Sequence, residues 1–194
     1  MVSVVAVVAK YKEDISWVDE LKCPTTIYDK SKDVPNVGRE AETYLRFILE
    51  NYDSLPDHVM FLQGKPFDHL AVETIEFLNE SLDQRNSEVR FLGGVYTEGV
   101  NAHGLRTTAS FRALFSSEPP NTFAFSLGAQ YVVPKQNILC RPKSFYATIR
   151  EVMIEFDKGG LNGCLVCPWT MERMWPHIFD PSVPNKDLVR SNLL

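Results

Sequence analysis

Three polar clusters in the chain each follow directly on an apolar run. Lys10-Tyr11-Lys12-Glu13-Asp14 follows the run from Val2 to Ala9. Asp29-Lys30 follows Thr25 to Tyr28, and Gln63 to His69 follows Val59 to Leu62. If the runs are strands of an open α/β sheet, the clusters lie beyond strand carboxyl ends, where such sheets gather their ligands. The plain alternative is that strand ends meet water and are polar for that reason. Within the third cluster, Asp68-His69 sets a carboxylate beside an imidazole. That pair could hold a divalent metal, act as an acid–base pair, or be a helix cap next to a surface histidine. Arg39 follows Asn36-Val37-Gly38 at the start of a helical pattern. A helix N-terminus favours phosphate, and an arginine there adds a two-pronged donor. The same arginine could instead pair with Glu42 or Asp33.

Cys164-Leu165-Val166-Cys167 is an isolated C-x-x-C. Zinc needs four ligands, and Cys23, Cys140 or His177 could join the pair only through tertiary placement. Pro168 follows it, so two structural thiols are the simpler reading. The chain has no Walker-type phosphate loop, no G-x-S-x-G elbow and no G-x-G-x-x-G after its first strand. ATPase, hydrolase and dinucleotide-dehydrogenase readings lose ground accordingly.

The elements that must position these residues can be read from periodicity. Residues 2–9 are β-branched without alternation, which suits a strand covered on both faces. A short helix is expected from Asp14 to Leu21, with Trp17, Val18 and Leu21 on one face. A strand is expected over Thr25 to Tyr28 and a loop over 33–38. A helix from Arg39 to Tyr52 carries Ala41, Tyr44, Leu45, Ile48, Leu49 and Tyr52 at three-four spacing. A strand from His58 to Gln63, a loop to His69 and a helix from Leu70 to Leu82 complete a β-α-β-α-β-α order. Val89 to Tyr96 reads as one further strand. Residues 97–122, rich in Thr, Ser, Asn and Pro, read as a substrate loop or lid. Phe123 to Val133 reads as a strand or two short strands, broken by Gly128, and Pro142 to Phe156 as helix. A flexible stretch is expected at 158–163, then a short helical or irregular segment from Thr170 to Ile178. The fold expected is a single α/β domain with a Rossmann-like, mostly parallel sheet flanked by helices.

Composition bounds the function. The 194 residues carry a net charge of −5, with 44% hydrophobic and 23% charged residues. This suits one globular domain and excludes a disordered chain or a binder of nucleic acid held by a basic surface. The first hundred residues are acidic and the remainder mildly basic. No run is long and apolar enough for a membrane span, and the run from Met1 to Ala9 lacks the basic start and cleavage site of a leader. A soluble cytoplasmic protein is expected.

The stretches VVAKYKEDISWVDEL, PNVGREAETYLRFILENYDSLPDHVMFLQGKPFDH, SLGAQYVVPKQNILCRPKSFYATI and ERMWPHIF occur in this order from about Val5 to Phe179. Together they resemble a domain-of-unknown-function family with members in fungi and large algal viruses. The specific parts are GREA-x-TYL, FLQG-x-PFDH and ERMWP. The opening VVAKYKED is also similar to the first strand and nucleotide loop of GT-A-type nucleotide-sugar glycosyltransferases. That likeness implies a GT-A-like domain, with a nucleotide half over about 1–96, an acceptor half over about 97–180 and a polar tail over 181–194. It implies a UDP- or GDP-linked sugar donor and a glycan or other hydroxyl acceptor.

It also implies roles. Tyr11 would stack on or flank the base, and Glu13 or Asp29 would bind base or ribose hydroxyls. Lys10, Gln63 and Gly64 would line the donor site, with Arg39 and Lys65 on the diphosphate. Asp68 or Glu172 would be the general base, and Gln130 would lie near the acceptor. One departure matters. GT-A enzymes commonly end a central strand in Asp-x-Asp to hold a metal, whereas here HVMFLQG ends in Gln63-Gly64, and Asp-x-Asp occurs nowhere. Either Asp68 or His69 stands in as a ligand for manganese or magnesium, or Lys65 and Arg39 neutralise the phosphates without metal. A third possibility is a module that binds nucleotide sugar or glycan without catalysis.

Overall fold

A computed structural model of the chain describes residues 2–83, 88–157 and 165–193. Its strands are β1 (Val4–Lys10), β2 (Thr25–Asp29), β3 (His58–Gln63), β4 (Arg90–Phe91), β5 (Val95–Gly99), β6 (Thr122–Ser126) and β7 (Tyr131–Pro134). Its α-helices are α1 (Arg39–Asn51), α2 (Ile75–Asp83), α3 (Thr107–Leu114), α4 (Lys135–Leu139), α5 (Lys143–Asp157) and α6 (Pro168–Ile178). Cys164 and residues 158–163, expected as half of the C-x-x-C and as a flexible stretch, lie outside the described residues.

β1 is an inner strand because both its faces are apolar. Val7 and Ala9 face one core, with Tyr44, Ile48, Phe61, Ile149, Trp175 and Phe179. Ala6 and Val8 face another, with Trp17, Met60, Leu62, Leu78 and Leu92. This period of two, apolar on both sides, is what a sheet covered by helices demands. α1, α5 and α6 cover the first face. α2 and the short 3-10 helix Ser16–Glu20 cover the second.

The sheet is mixed, not mostly parallel. Its strand order is β2-β1-β3-β7-β4. β1 runs parallel to β2 and β3, whereas β7 runs antiparallel to both β3 and β4. A parallel neighbour needs a crossover of a dozen or more residues. β7 enters this sheet from β6, a strand of the second sheet, through the turn Leu127–Ala129, where Gly128 (φ 71°) and Ala129 (φ 54°) are both left-handed.

Three other expectations give way. The single strand over 89–96 divides at Gly93-Gly94 into β4 in the main sheet and β5, which pairs with β6 in a separate two-stranded sheet. A Cβ at Gly93 would lie 2.2 Å from the Leu127 carbonyl oxygen, so only glycine lets the chain cross there. Residues 97–122 are not a lid: they contain part of β5 and α3, whose Phe111 and Leu114 are buried in the main core. The helix expected from Leu70 begins only at Ile75, since Leu70 bridges to Gly93 instead. The segment 181–193 is polar but docked. Buried Arg141 donates to the carbonyls of His177, Ile178, Asp180 and Val183, and Leu193 is fully buried.

The start of α1 is fixed by charge. Glu42 is fully buried, and its carboxylate meets Lys30 at 3.2 Å, Arg46 at 2.8 Å and Arg150 at 2.8 Å. Burial alone would raise its pKa, but these three cations outweigh burial and hold it below the ordinary glutamate value. Lys30 also donates to the carbonyls of Val37 (2.7 Å) and Arg39 (2.6 Å). One carboxylate thus joins the end of β2, the start of α1 and the middle of α5. Glu42→Gln leaves three cations around a neutral amide and should cost about 3–5 kcal/mol, the range for breaking a buried ion pair from one side. Urea unfolding at pH 7 measures this. The gap between variant and parent should narrow in acid, as falling pH protonates Glu42 in the parent.

Candidate functional site

A pocket of about 480 Å³ opens beyond the carboxyl ends of β1 and β3, against the N-terminus of α1. From the loop after β1 it takes Lys10, Tyr11 and Glu13. From the segment leading into α1 it takes Lys30, Asn36, Arg39 and Glu40. Gln63, Gly64, Lys65, Asp68 and His69 complete the wall after β3. Nine of the residues expected at a donor or metal site therefore share one cavity. Asp29, Gln130 and Glu172 do not line it.

The loops that shape the pocket are held by their own side chains. The Glu13 carboxylate accepts hydrogen bonds from the backbone N–H groups of Tyr11 (2.6 Å) and Lys12 (3.1 Å). A Cβ at Gly64 would lie 2.8 Å from Glu13 Oε2, so a larger residue there would displace the Glu13 carboxylate. Trp17 Nε1 donates to the Gly64 carbonyl from below. Glu13 is thus a loop anchor, with only one oxygen left uncommitted to those amides. Asp29 is likewise an anchor. It pairs with Lys10 at 2.6 Å and accepts from the Ser31 amide and hydroxyl, and those bonds hold its carboxyl far below the usual carboxylate range. Its expected place on base or ribose is therefore replaced by a bond from β2 to β1.

Gln130 is also corrected. It is fully buried, accepting from the Gln63 amide (3.4 Å) and donating to the Pro66 carbonyl (3.0 Å). It ties the end of β3 to the turn before β7 and presents nothing to an acceptor.

The entry to α1 is built for close approach. Gly38 has φ +61°, and a Cβ there would meet Met153 Sδ at 2.5 Å. No side chain caps the helix at Gly38. Arg39 itself has φ +48°, a left-handed conformation that a side chain adopts only at a cost in strain. Its guanidinium lies over the Trp169 ring at 4.2 Å, a cation–π contact with the first turn of α6. Neither Glu42 nor Asp33 is its partner. Lys65 and Asp68 form an exposed ion pair at 3.0 Å. Among the described residues, no three His, Cys, Asp or Glu side chains come together as a metal-binding group. Asp68 and His69 thus lack the third protein donor that would make a closed site.

The residue that sequence reasoning missed is Glu40. It lines the pocket one residue from Arg39, and its carboxyl is pushed up to about 7. Burial is the main cause, and the negative field of Glu172 adds to it. A hydrogen bond from its own backbone N–H and the charges of Arg39 and Lys30 oppose the rise. A carboxyl poised near neutrality in a cleft is a candidate acid–base group. The only signal in the sequence was a glutamate in the first turn of the best helix, which reads equally well as a dipole partner.

Glu172, on α6, is half-buried outside the pocket lining. Its carboxylate accepts from the Gly128 amide at 2.8 Å and from Arg173 at 2.9 Å. Burial raises its pKa, against the pull of those donors and of His69. Arg173 in turn grips Glu98 of β5 with two nitrogens.

The sequence identifies the family in which this site is set. The chain belongs to the family described as "Protein of unknown function (DUF3431)", which matches residues 4–89 and 88–187. No curated protein and no solved structure matches it. Among the described residues, no helix is long and apolar enough to cross a membrane.

The raised Glu40 carboxyl carries a stability consequence. Because its folded pKa lies above the ordinary value of 4.5, the native state binds this proton more tightly than the unfolded chain does. The resulting stability is present below pH 4.5 and lost as pH rises through about 7. Glu40→Gln should therefore leave stability at pH 4.5 nearly unchanged and raise it by about 1–3 kcal/mol at pH 8. Thermal unfolding across that range checks both the sign and the window.

Proposed function

We propose that this chain transfers a sugar from a UDP- or GDP-linked donor to a hydroxyl acceptor. The observation that carries the reading is the pocket itself. It combines a helix N-terminus, four cations and a carboxyl poised near neutrality at the carboxyl ends of parallel strands. The GT-A-like opening VVAKYKED is consistent with it. The fold family's metal is not built into the step, since Asp68 and His69 supply an incomplete donor set.

The roles follow from which groups are free. Lys10 and Lys30 are engaged by Asp29, by Glu42 and by carbonyls, so they contribute field and shape. Arg39 and Lys65 are exposed or weakly paired and would grip the diphosphate, assisted by the first turn of α1. Tyr11, 39% exposed, offers a ring face for the base. Glu40, rather than Asp68 or Glu172, would be the general base. It takes the acceptor hydroxyl's proton as that oxygen bonds to the anomeric carbon. The bond from that carbon to the diphosphate breaks, and its electron pair leaves on the phosphate oxygen. Stabilising that leaving charge is the main task of Arg39 and Lys65.

Calorimetry with UDP and GDP tests this directly. Binding is expected, and Arg39→Ala should weaken the diphosphate by about 1.5–3 kcal/mol while sparing the nucleoside. Equal loss for both would make Arg39 a structural residue. No binding of any nucleoside diphosphate at millimolar concentration would remove the reading. Binding of the intact donor without turnover would leave a nucleotide-sugar binding module.

Asp68 gives a separate test. Asp68→Asn frees Lys65 from its ion pair and should tighten the diphosphate in the absence of metal. If manganese tightens binding to the parent and the variant loses that effect, Asp68 is a metal ligand after all.

A further inference from the structure

Arg39 is fixed both at its backbone and at the tip of its side chain. The backbone takes φ +48°, directly after Gly38 at φ +61°. That conformation is strained for a residue with a side chain and persists only where the surroundings over-determine it. Here the buried Lys30 ammonium does so. It donates to the carbonyls of Val37 and Arg39, on either side of the turn, at 2.7 and 2.6 Å.

The side chain is held in another way. Its guanidinium carbon lies 4.2 Å from the centre of the Trp169 ring. Among the described residues, the guanidinium has no carboxylate or carbonyl partner. A carboxylate would occupy its N–H donors. A ring face holds the cation through its π electrons and leaves those donors to a ligand.

Trp169 is itself well anchored. It is half-buried at the second position of α6 and packs against the main core. Its carbonyl accepts from Arg173 Nη1 at 2.8 Å. Buried Arg173 lies over the Phe125 ring of β6 at 4.3 Å and grips Glu98 of β5 through Nε and Nη2. The ring is therefore carried on a helix turn tied to the two-stranded sheet, and the arginine on a helix start tied to β2. Trp169 does not line the pocket, whereas Arg39 does.

We propose that Trp169 is a positioning residue of the pocket. It holds the Arg39 guanidinium, with its N–H donors uncommitted, where a diphosphate binds, and the stack persists with the ligand in place. This rests on the reading of Arg39 as the group that grips the diphosphate. An exposed arginine loses side-chain freedom when it meets a phosphate; the stack takes that loss during folding, before the ligand arrives. Trp169 thus sets affinity for the phosphates and has no part in recognising base or sugar.

Calorimetry on the full chain with inorganic diphosphate, UDP and uridine tests this. Trp169→Leu removes the ring and keeps an apolar side chain. It should weaken inorganic diphosphate and UDP by about fivefold and leave uridine unchanged. Trp169→Phe keeps a ring face and should retain most of the parent's affinity. In an Arg39→Ala background, Trp169→Leu should cause no further loss, because the two residues act as one. NMR of the unsubstituted chain adds a reading that depends on no variant. The Arg39 Nε–H proton should be shifted upfield by the indole ring current, and the shift should remain at saturation with inorganic diphosphate.

An Arg39 resonance without that shift, or one that loses it on saturation, overturns the proposal. So does an equal loss of diphosphate affinity on Trp169→Leu with and without Arg39. Unchanged diphosphate affinity in a Trp169→Leu protein with native circular dichroism overturns it too. In each of these cases, a parent chain that binds diphosphate keeps the reading of the pocket. A parent chain that binds neither inorganic diphosphate nor UDP overturns that reading and this one together.

Discussion

The carboxylate of Glu42, enclosed by Lys30, Arg46 and Arg150, is the constraint on which the pocket depends. It lies one turn inside α1, so it cannot move without moving the helix start. Lys30 reaches from the end of β2 to Glu42 and to the two carbonyls that bound the helix entry. Strand end, loop and helix are therefore referenced to one buried charge. Arg150 extends the reference to α5, so the layer behind the pocket is registered to the same point. A packed apolar face could hold α1 against the sheet, but ridges and grooves alone allow sliding. A buried ionic cluster with several fixed bonds does not.

Two residues away, Glu40 shows what the same helix does to a carboxyl without that enclosure. Glu42 is fully buried and Glu40 half-buried. Glu42 meets three cations at hydrogen-bond distance and ionises readily; Glu40 has only its own amide and partial help from Arg39 and Lys30, and it keeps its proton up to about 7. The difference comes from rotation about the helix. Successive residues turn by about 100°, so residues two apart face nearly opposite directions. One points toward Lys30, Arg46 and Arg150, the other toward the cleft. A single turn of α1 thus separates a carboxylate enclosed by cations from one that lines the pocket.

Much of this was legible in the chain. The run from His58 to Gln63 shows its own ends, since four apolar residues are closed on both sides by polar ones. The placement of Lys10 to Glu13 and Gln63 to His69 at one cavity follows from strand order alone. What could not be read were contacts between elements distant in sequence. Nothing local in Asp29 announces Lys10 as its partner rather than a ligand. Nothing in Gln130 announces that the Pro66 carbonyl and Gln63 amide will occupy its amide group. Glu40 was hidden for the same reason, because the burial that raises it depends on how α1 and α6 pack. The division at Gly93-Gly94 had a local sign in the paired glycines, but their reason is the Leu127 carbonyl lying where a Cβ would be.

The reversed direction of β7 has an effect beyond topology. At the end of the sheet where β1 and β3 finish, β7 begins. Where β1 and β3 run out into long loops, β7 is entered through a tight turn, whose backbone amides are free of the sheet ladder. Gly128, in the turn before β7, presents its N–H to Glu172 in this way. The inverted strand thus brings a backbone amide, carried on the turn that feeds it, to the place where the acidic side chain of Glu172 is seated.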